Sequence, residues 1–141
     1  RPITVVPPAW TDVVNARFSP DGKWVAYGRD ESGRIEVFVV SFPDGQGKVQ
    51  ISISGGANPR WTRGGHELLF SDFGGTVMSV AIETAHGFRA SPPRPLFTLP
   101  PGSLAWEVSA DGERFLVNSP VVKSPSVPLS LVLDWAAALK K

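Results

Sequence analysis

Five polar residues stand at matching places along this chain. Arg17 lies one residue before Phe18, Arg60 one before Trp61 and Glu107 one before Val108, while Asn15 and Asn58 lie two residues upstream of their arginines. Guanidinium and amide groups offer several N–H donors, which suits the capture of a carboxylate or a peptide. That chemistry is recognition rather than bond-making, and the patterns that make or break bonds are missing. His66-Glu67-Leu68-Leu69-Phe70 begins like a zinc-binding His-Glu-x-x-His helix, but Phe70 stands where the second histidine belongs and the segment reads as a strand. His86 sits in a turn without a visible partner. There is no Gly-x-Ser-x-Gly elbow, kinase signature, phosphate-binding glycine loop or EF-hand loop. Asp30-Glu31-Ser32-Gly33-Arg34 is acidic but too short and irregular for a calcium site. The chain has no cysteine, hence no disulfide or thiolate ligand. We expect no catalytic residue, no metal site and no cofactor.

The elements that position the five residues repeat. Ala16–Tyr27 contains a short strand, a tight Asp21-Gly22 turn and a second strand; Pro59–Phe70 and Trp106–Val117 have the same form. The turn glycines Gly22, Gly65 and Gly112 are 43 and 47 residues apart. A period in this range points to propeller blades or a similar array. The expected fold is all-β, with antiparallel four-stranded blades, three per chain. Blade one spans 14–56, with strands near Asn15–Ser19, Trp24–Arg29, Ile35–Phe42 and Lys48–Ile53. Blade two spans 58–104, with strands near Arg60–Thr62, Glu67–Ser71, Val77–Ile82 and Leu96–Leu99. Blade three, 105–135, has three strands, near Glu107–Ser109, Arg114–Ser119 and Leu129–Asp134, and a short helix follows over 135–141. Residues 1–8 read as the last strand of a blade whose other strands lie elsewhere, so the two deficits are complementary. Three blades are too few to close a ring. Either two chains pair as a homodimer into a six-bladed ring, or the chain belongs to a longer propeller.

In such a ring the first strand of each blade lines the channel. With Phe18, Trp61 and Val108 facing the core between blades, Arg17, Arg60 and Glu107 face the other way. Asn15, Arg17, Asn58, Arg60 and Glu107 then form part of a channel mouth that captures an acidic or peptide ligand. The alternative is a hydrated channel whose polar groups satisfy one another. Trp10 and Trp106 lie beside inter-blade loops and are placed to line a binding face.

Composition narrows the partners. Fourteen basic and 13 acidic residues give a net charge of +1 without long runs of either sign, so no nucleic-acid footprint is present. No segment approaches the roughly 18 apolar residues of a membrane-spanning helix. The chain opens at Arg1 and reads as a processed or excised piece of something longer.

Phe18-Ser-Pro-Asp-Gly-Lys-Trp-Val-Ala-Tyr27, then Ile35-Glu-Val-Phe-Val-Val40, resembles a TolB-type, WD40-like propeller repeat, and Gly55-Gly-Ala-Asn-Pro-Arg-Trp61 resembles the lead-in to the next. Ser109–Asn118 and Leu129–Lys141 resemble the end of propeller regions attached to some bacterial serine/threonine kinases. The resemblance implies a binding platform for a protein or peptide, in a periplasmic or other extracytoplasmic setting, or the sensor part of a larger kinase. Two alternatives are a self-assembling half propeller and an accessory domain of a propeller-containing peptidase or kinase. One departure stands out: Gly64 occupies the place held by Asp21 and Asp111 in the other two turns.

Overall fold

The computed structural model describes residues 12–120 and the strand Leu129–Leu133. The segments read as a closing strand (1–8) and a terminal helix (135–141) lie outside the described residues, as does Trp10. Among the described residues three antiparallel sheets follow one another in sequence. The first is β1 (Val13–Phe18), β2 (Trp24–Asp30), β3 (Ile35–Ser41) and β4 (Val49–Gln50), in spatial order. The second is β5 (Ala57–Thr62), β6 (Glu67–Ser71) and β7 (Thr76–Glu83), with β8 (Arg89–Ala90) and β9 (Arg94–Thr98) on successive stretches of the outer edge of β7. The third is β10 (Ala105–Val108), β11 (Arg114–Asn118) and β12 (Leu129–Leu133).

Two outer strands differ from expectation. The fourth strand of the first sheet stops at Gln50 rather than Ile53, because the Ser52 hydroxyl takes the Val37 N–H at 2.8 Å in place of a backbone carbonyl. The short strand β8 is additional. A tight turn over 84–88 folds the chain back, and the Ala81 N–H donates to the Ser91 hydroxyl at 3.0 Å.

In the first two sheets the middle strands β3 and β6 are apolar on both faces, so these sheets must be covered on both sides. In β3, Val37 and Val39 enter one cluster and Phe38 and Val40 another. Between the first two sheets lie Ala26, Val37, Val39, Ile51, Leu68, Phe70, Val80 and Ile82. Between the second and third lie Leu69, Val77, Trp106, Phe115 and Val117. Glu36 is buried at the seam where the first sheet hands over to the second. Its carboxylate accepts the Gly55 N–H (2.9 and 3.0 Å), the Ser52 hydroxyl and Arg34 Nε (2.9 Å), which compensates the charge.

The expectation that Phe18, Trp61 and Val108 all face a core needs one correction. Trp61 pairs with Leu68 and packs on the first interface; Val108 pairs with Phe115 and packs on the second. Phe18 pairs with Val25 on the outer face of the first sheet and is 58% exposed, with Phe42 edge-on at 4.9 Å. The position is equivalent, but no sheet among the described residues faces Phe18.

The first and third hairpin turns share one set of bonds. Asp21 Oδ1 accepts from the Ser19 hydroxyl (2.6 Å) and the Lys23 N–H (3.1 Å), and Ser19 Oγ accepts the Trp24 N–H (3.0 Å). Ser109, Asp111, Glu113 and Arg114 repeat this set. Gly22 (φ 69°) and Gly112 (φ 76°) supply the left-handed step the turn needs. The second turn, with Gly64 in place of the aspartate, is a short 3-10 turn over Arg63–Gly65. Its groups reach the third sheet instead. The Thr62 hydroxyl is shared between the carbonyls of Ser109 (3.1 Å) and Ala110 (3.0 Å), and the Arg63 N–H donates to Ala110 O (2.8 Å). The Arg63 guanidinium meets Glu67 (3.1 Å) and Glu113 (3.2 Å).

Two predictions follow from the turns. Thr62 is 1% exposed, so Thr62→Val keeps its volume and removes the hydroxyl donor from both carbonyls, while Gly112 N–H stays on Ser109 O and Arg63 N–H on Ala110 O. It is expected to lower stability by about 0.5–1.5 kcal/mol in urea titration; an unchanged midpoint would mean that the hydroxyl does not join the two sheets. The serine hydroxyl and the turn N–H hold Asp21 and Asp111 below the ordinary value of 3.8. Their contribution is therefore complete above that value and is lost as pH falls through the lower folded values. The urea midpoint of Asp21→Asn should change less than wild type between about pH 5 and about pH 3. An equal change in both proteins would rule this out.

Candidate functional site

The first strands β1 and β5 carry the same irregularity. Val14 pairs with Gly28 and Arg17 with Ala26, so Asn15 and Ala16 stand opposite one residue, Tyr27. Ala57 pairs with Ser71 and Arg60 with Leu69, so Asn58 and Pro59 stand opposite Phe70. Each is a β-bulge, and its asparagine takes a left-handed backbone: φ is 54° at Asn15 and 55° at Asn58. Asparagine tolerates that region better than most residues. In β10 the corresponding residue is Ala105, and the ladder from Ala105 to Val108 runs without a shift. The two bulges bring the amides together. Asn15 Nδ2 donates to Asn58 Oδ1 at 2.9 Å, and Asn58 Nδ2 donates to Ser71 Oγ at 3.3 Å.

Arg60 and Glu107 meet in a two-pronged ion pair. Nε donates to Oε2 at 2.8 Å and Nη2 to Oε1 at 2.7 Å, while Nη1 holds Pro59 O at 3.0 Å. The guanidinium also lies 5.8 Å from the Trp106 ring centroid. Arg60 is largely shielded, with 13% of its side chain exposed against 56% for Glu107. Arg17 is different. It is exposed, its Nη1 donates only to its neighbour's carbonyl, Ala16 O (3.2 Å), and among the described residues no carboxylate pairs with it. Its own carbonyl accepts the Trp61 indole N–H at 3.1 Å, which fixes the backbone beneath it.

Repeat position explains the contrast. One sheet further on, Arg60 meets Glu107; one sheet further on from Arg17, the equivalent residue is Arg60, another cation. Register puts Arg17, Arg60 and Glu107 on the sheet face opposite Phe18, Trp61 and Val108: Arg17 shares the face of Ala26, Arg60 that of Leu69 and Glu107 that of Leu116, and for Arg17 and Arg60 that face is turned toward the following sheet. The structure thus joins Asn15 with Asn58 and Arg60 with Glu107, as a self-satisfying polar set would be joined, and leaves Arg17 outside both pairs.

The remaining chemistry-bearing residues are in turns. His66 and His86 are exposed. At the β2–β3 tip, Asp30 Oδ1 accepts the N–H groups of Ser32 (3.1 Å) and Gly33 (2.7 Å), and Glu31 meets Arg29 and Lys48, each at 2.6 Å. Sequence reasoning missed Asp72 and Phe73 at the β6–β7 tip, where the only signal is an aromatic residue in a turn that needs none. It singled out Trp106 correctly as a neighbour of the loops, but the ring is 4% exposed.

No known family profile matches the chain, and no curated protein matches it. Solved structures do. TolB from Acinetobacter baumannii is similar with a TM-score of 0.56 and 18% identity, over 85% of this chain and 32% of that one. A putative 6-phosphogluconolactonase from Bacteroides uniformis ATCC 8492 has a TM-score of 0.49 and 18% identity, over 84% of this chain and 39% of that one. The chain therefore spans about a third of the TolB structure. At this identity the likeness to TolB concerns the fold, which is all-β, antiparallel and of the propeller type.

A double-mutant cycle tests the ion pair. Arg60→Ala should cost more than Glu107→Ala, because it also uncovers the Trp106 face, and the coupling should be about 0.5–1 kcal/mol. The coupling should shrink in concentrated salt. Zero coupling at low salt would mean that the pair does not stabilise the fold.

Proposed function

We propose that the chain is a noncatalytic platform for a protein or peptide, and that the first strands of its sheets carry the recognition site. Arg17 is the observation that supports this most directly. A guanidinium on a backbone fixed by the Trp61 indole, beside an amide pair and without a carboxylate partner among the described residues, suits a carboxylate from outside. Asn15 and Asn58 add amide groups at the adjoining bulges. The rigid stack of sheets supports such a site because it holds these strands in place without rearrangement. An extracytoplasmic setting is part of the proposal and rests on the likeness to TolB.

The test is selection of a phage-displayed library of random linear peptides on the immobilised chain. Peptides containing Asp or Glu should be enriched, and Arg17→Gln should weaken a selected peptide about tenfold. Arg60→Gln should have a smaller effect, since its charge is already neutralised. Failure to enrich any peptide, or equal binding to Arg17→Gln, would remove the reading.

A further inference from the structure

Beside Asn58 the second and third sheets leave a cleft of about 240 Å³, walled by the β6–β7 turn and the β9–β10 loop. Asp72, Phe73, Leu99, Leu104 and Trp106 line it together with Asn58. A second hollow continues it past Phe73 along Pro100 and Pro101. We infer that this cleft is a second subsite of the same platform, and that it takes a basic side chain followed by an apolar one from an extended peptide. The inference rests on the peptide-binding reading and names part of the ligand's chemistry.

Three observations converge. The first is charge. Asp72 Oδ1 caps the turn by accepting the Thr76 N–H at 2.7 Å, and among the described residues no basic side chain pairs with the carboxylate. Asp72 is partly buried at the cleft wall, where a carboxylate attracts a cation more strongly than it would in open water. A metal ion is a poorer fit, because no group of three or more acidic or histidine side chains gathers here or elsewhere among the described residues. The second is apolar exposure. Phe73 is 61% exposed and Leu104 77% exposed, on opposite walls. Neither contributes to the buried cores, and an aromatic face beside a carboxylate suits an ammonium or guanidinium. The third is an unmet donor behind the cleft wall. Trp106 is 4% exposed and lines the cleft, and among the described residues its indole N–H, itself closed to solvent, has no acceptor. A buried donor without an acceptor is costly, and a small shift of this wall on binding would open it to a peptide carbonyl. Asn58 belongs to both the cleft and the amide pair, so the two subsites adjoin.

The same peptide selection tests the inference, with Asp72→Asn and Phe73→Ala added. Asparagine keeps the oxygen that caps Thr76, and Phe73 lies at the surface, so both variants should fold; thermal melts monitored by circular dichroism check this. Enriched peptides should carry Lys or Arg next to an apolar residue. Fluorescence polarisation of one such labelled peptide should show about tenfold weaker binding to Asp72→Asn. The same peptide with its basic residue replaced by Ala should bind wild type and Asp72→Asn equally. In ¹H–¹⁵N spectra the Trp106 indole signal, assigned by its loss in Trp106→Phe, should move when the peptide is added. Peptides enriched for acidic residues alone, insensitive to both cleft variants, would overturn the subsite and leave the Arg17 site standing. No enrichment at all would overturn both. A stationary Trp106 signal under saturating peptide would also sink the subsite.

Discussion

Two-sided burial of the middle strands is the constraint from which the structure follows. A sheet with one polar face can stand against solvent, but β3 offers Val37 and Val39 to one side and Phe38 and Val40 to the other. β6 does the same with Leu68 and Phe70 against Leu69. Such strands require a sheet or other cover on each face, so the units stack. At about 25 cal/mol per Å² of apolar surface removed from water, these interfaces are the main source of stability. They also account for the buried Glu36. The chain leaves one layer for the next beside it, and its carboxylate collects the Gly55 N–H, the Ser52 hydroxyl and Arg34 there. Removing either serine or arginine from that set would leave a buried charge short of a partner, so the crossing depends on all three donors.

A stack of like units also needs directional contacts that set the order of its layers. Here these come from departures from the repeat rather than from the repeat itself. The first and third turns each bond inward, serine to aspartate to backbone. The second lacks the aspartate, and Thr62 and Arg63 bond outward to Ser109, Ala110 and Glu113. Two identical inward turns would meet only through van der Waals contact. The substitution at Gly64 thus coincides with a seam of hydrogen bonds between the second and third sheets.

The hairpins were legible in the sequence because their turns carry Asp-Gly or Gly-Gly between alternating apolar runs. The strands of β2, β6 and β11 followed to within about a residue. What escaped was whatever depends on which neighbour a residue has. Phe18 and Trp61 occupy one repeat position and differ in burial because only Trp61 has a sheet against it. The short β4 escaped because a serine hydroxyl replaces a backbone acceptor, and periodicity does not register that exchange. The five candidate residues were legible as a set from their spacing. Their partners were not, since pairing crosses 43 residues for Asn15 with Asn58 and 47 for Arg60 with Glu107.

That spacing bears on how a repeat fold comes to hold a site. When equivalent positions of successive sheets lie side by side, a side chain's partner is its own counterpart one unit along. Asparagine followed by asparagine is self-complementary, since an amide both donates and accepts. Arginine followed by glutamate is complementary, and Arg60 and Glu107 are spent on each other. Arginine followed by arginine is neither, and this is the pairing that Arg17 inherits. A ring of fully complementary positions would be stable and inert. One mismatched step leaves a charge that no carboxylate among the described residues meets. Asp72 presents the opposite charge across the cleft from Leu104, and among the described residues no basic side chain pairs with it. Asn58 belongs to both the amide pair and the cleft, so the proposed site is polar in both senses and would suit an extended segment with charges of both signs.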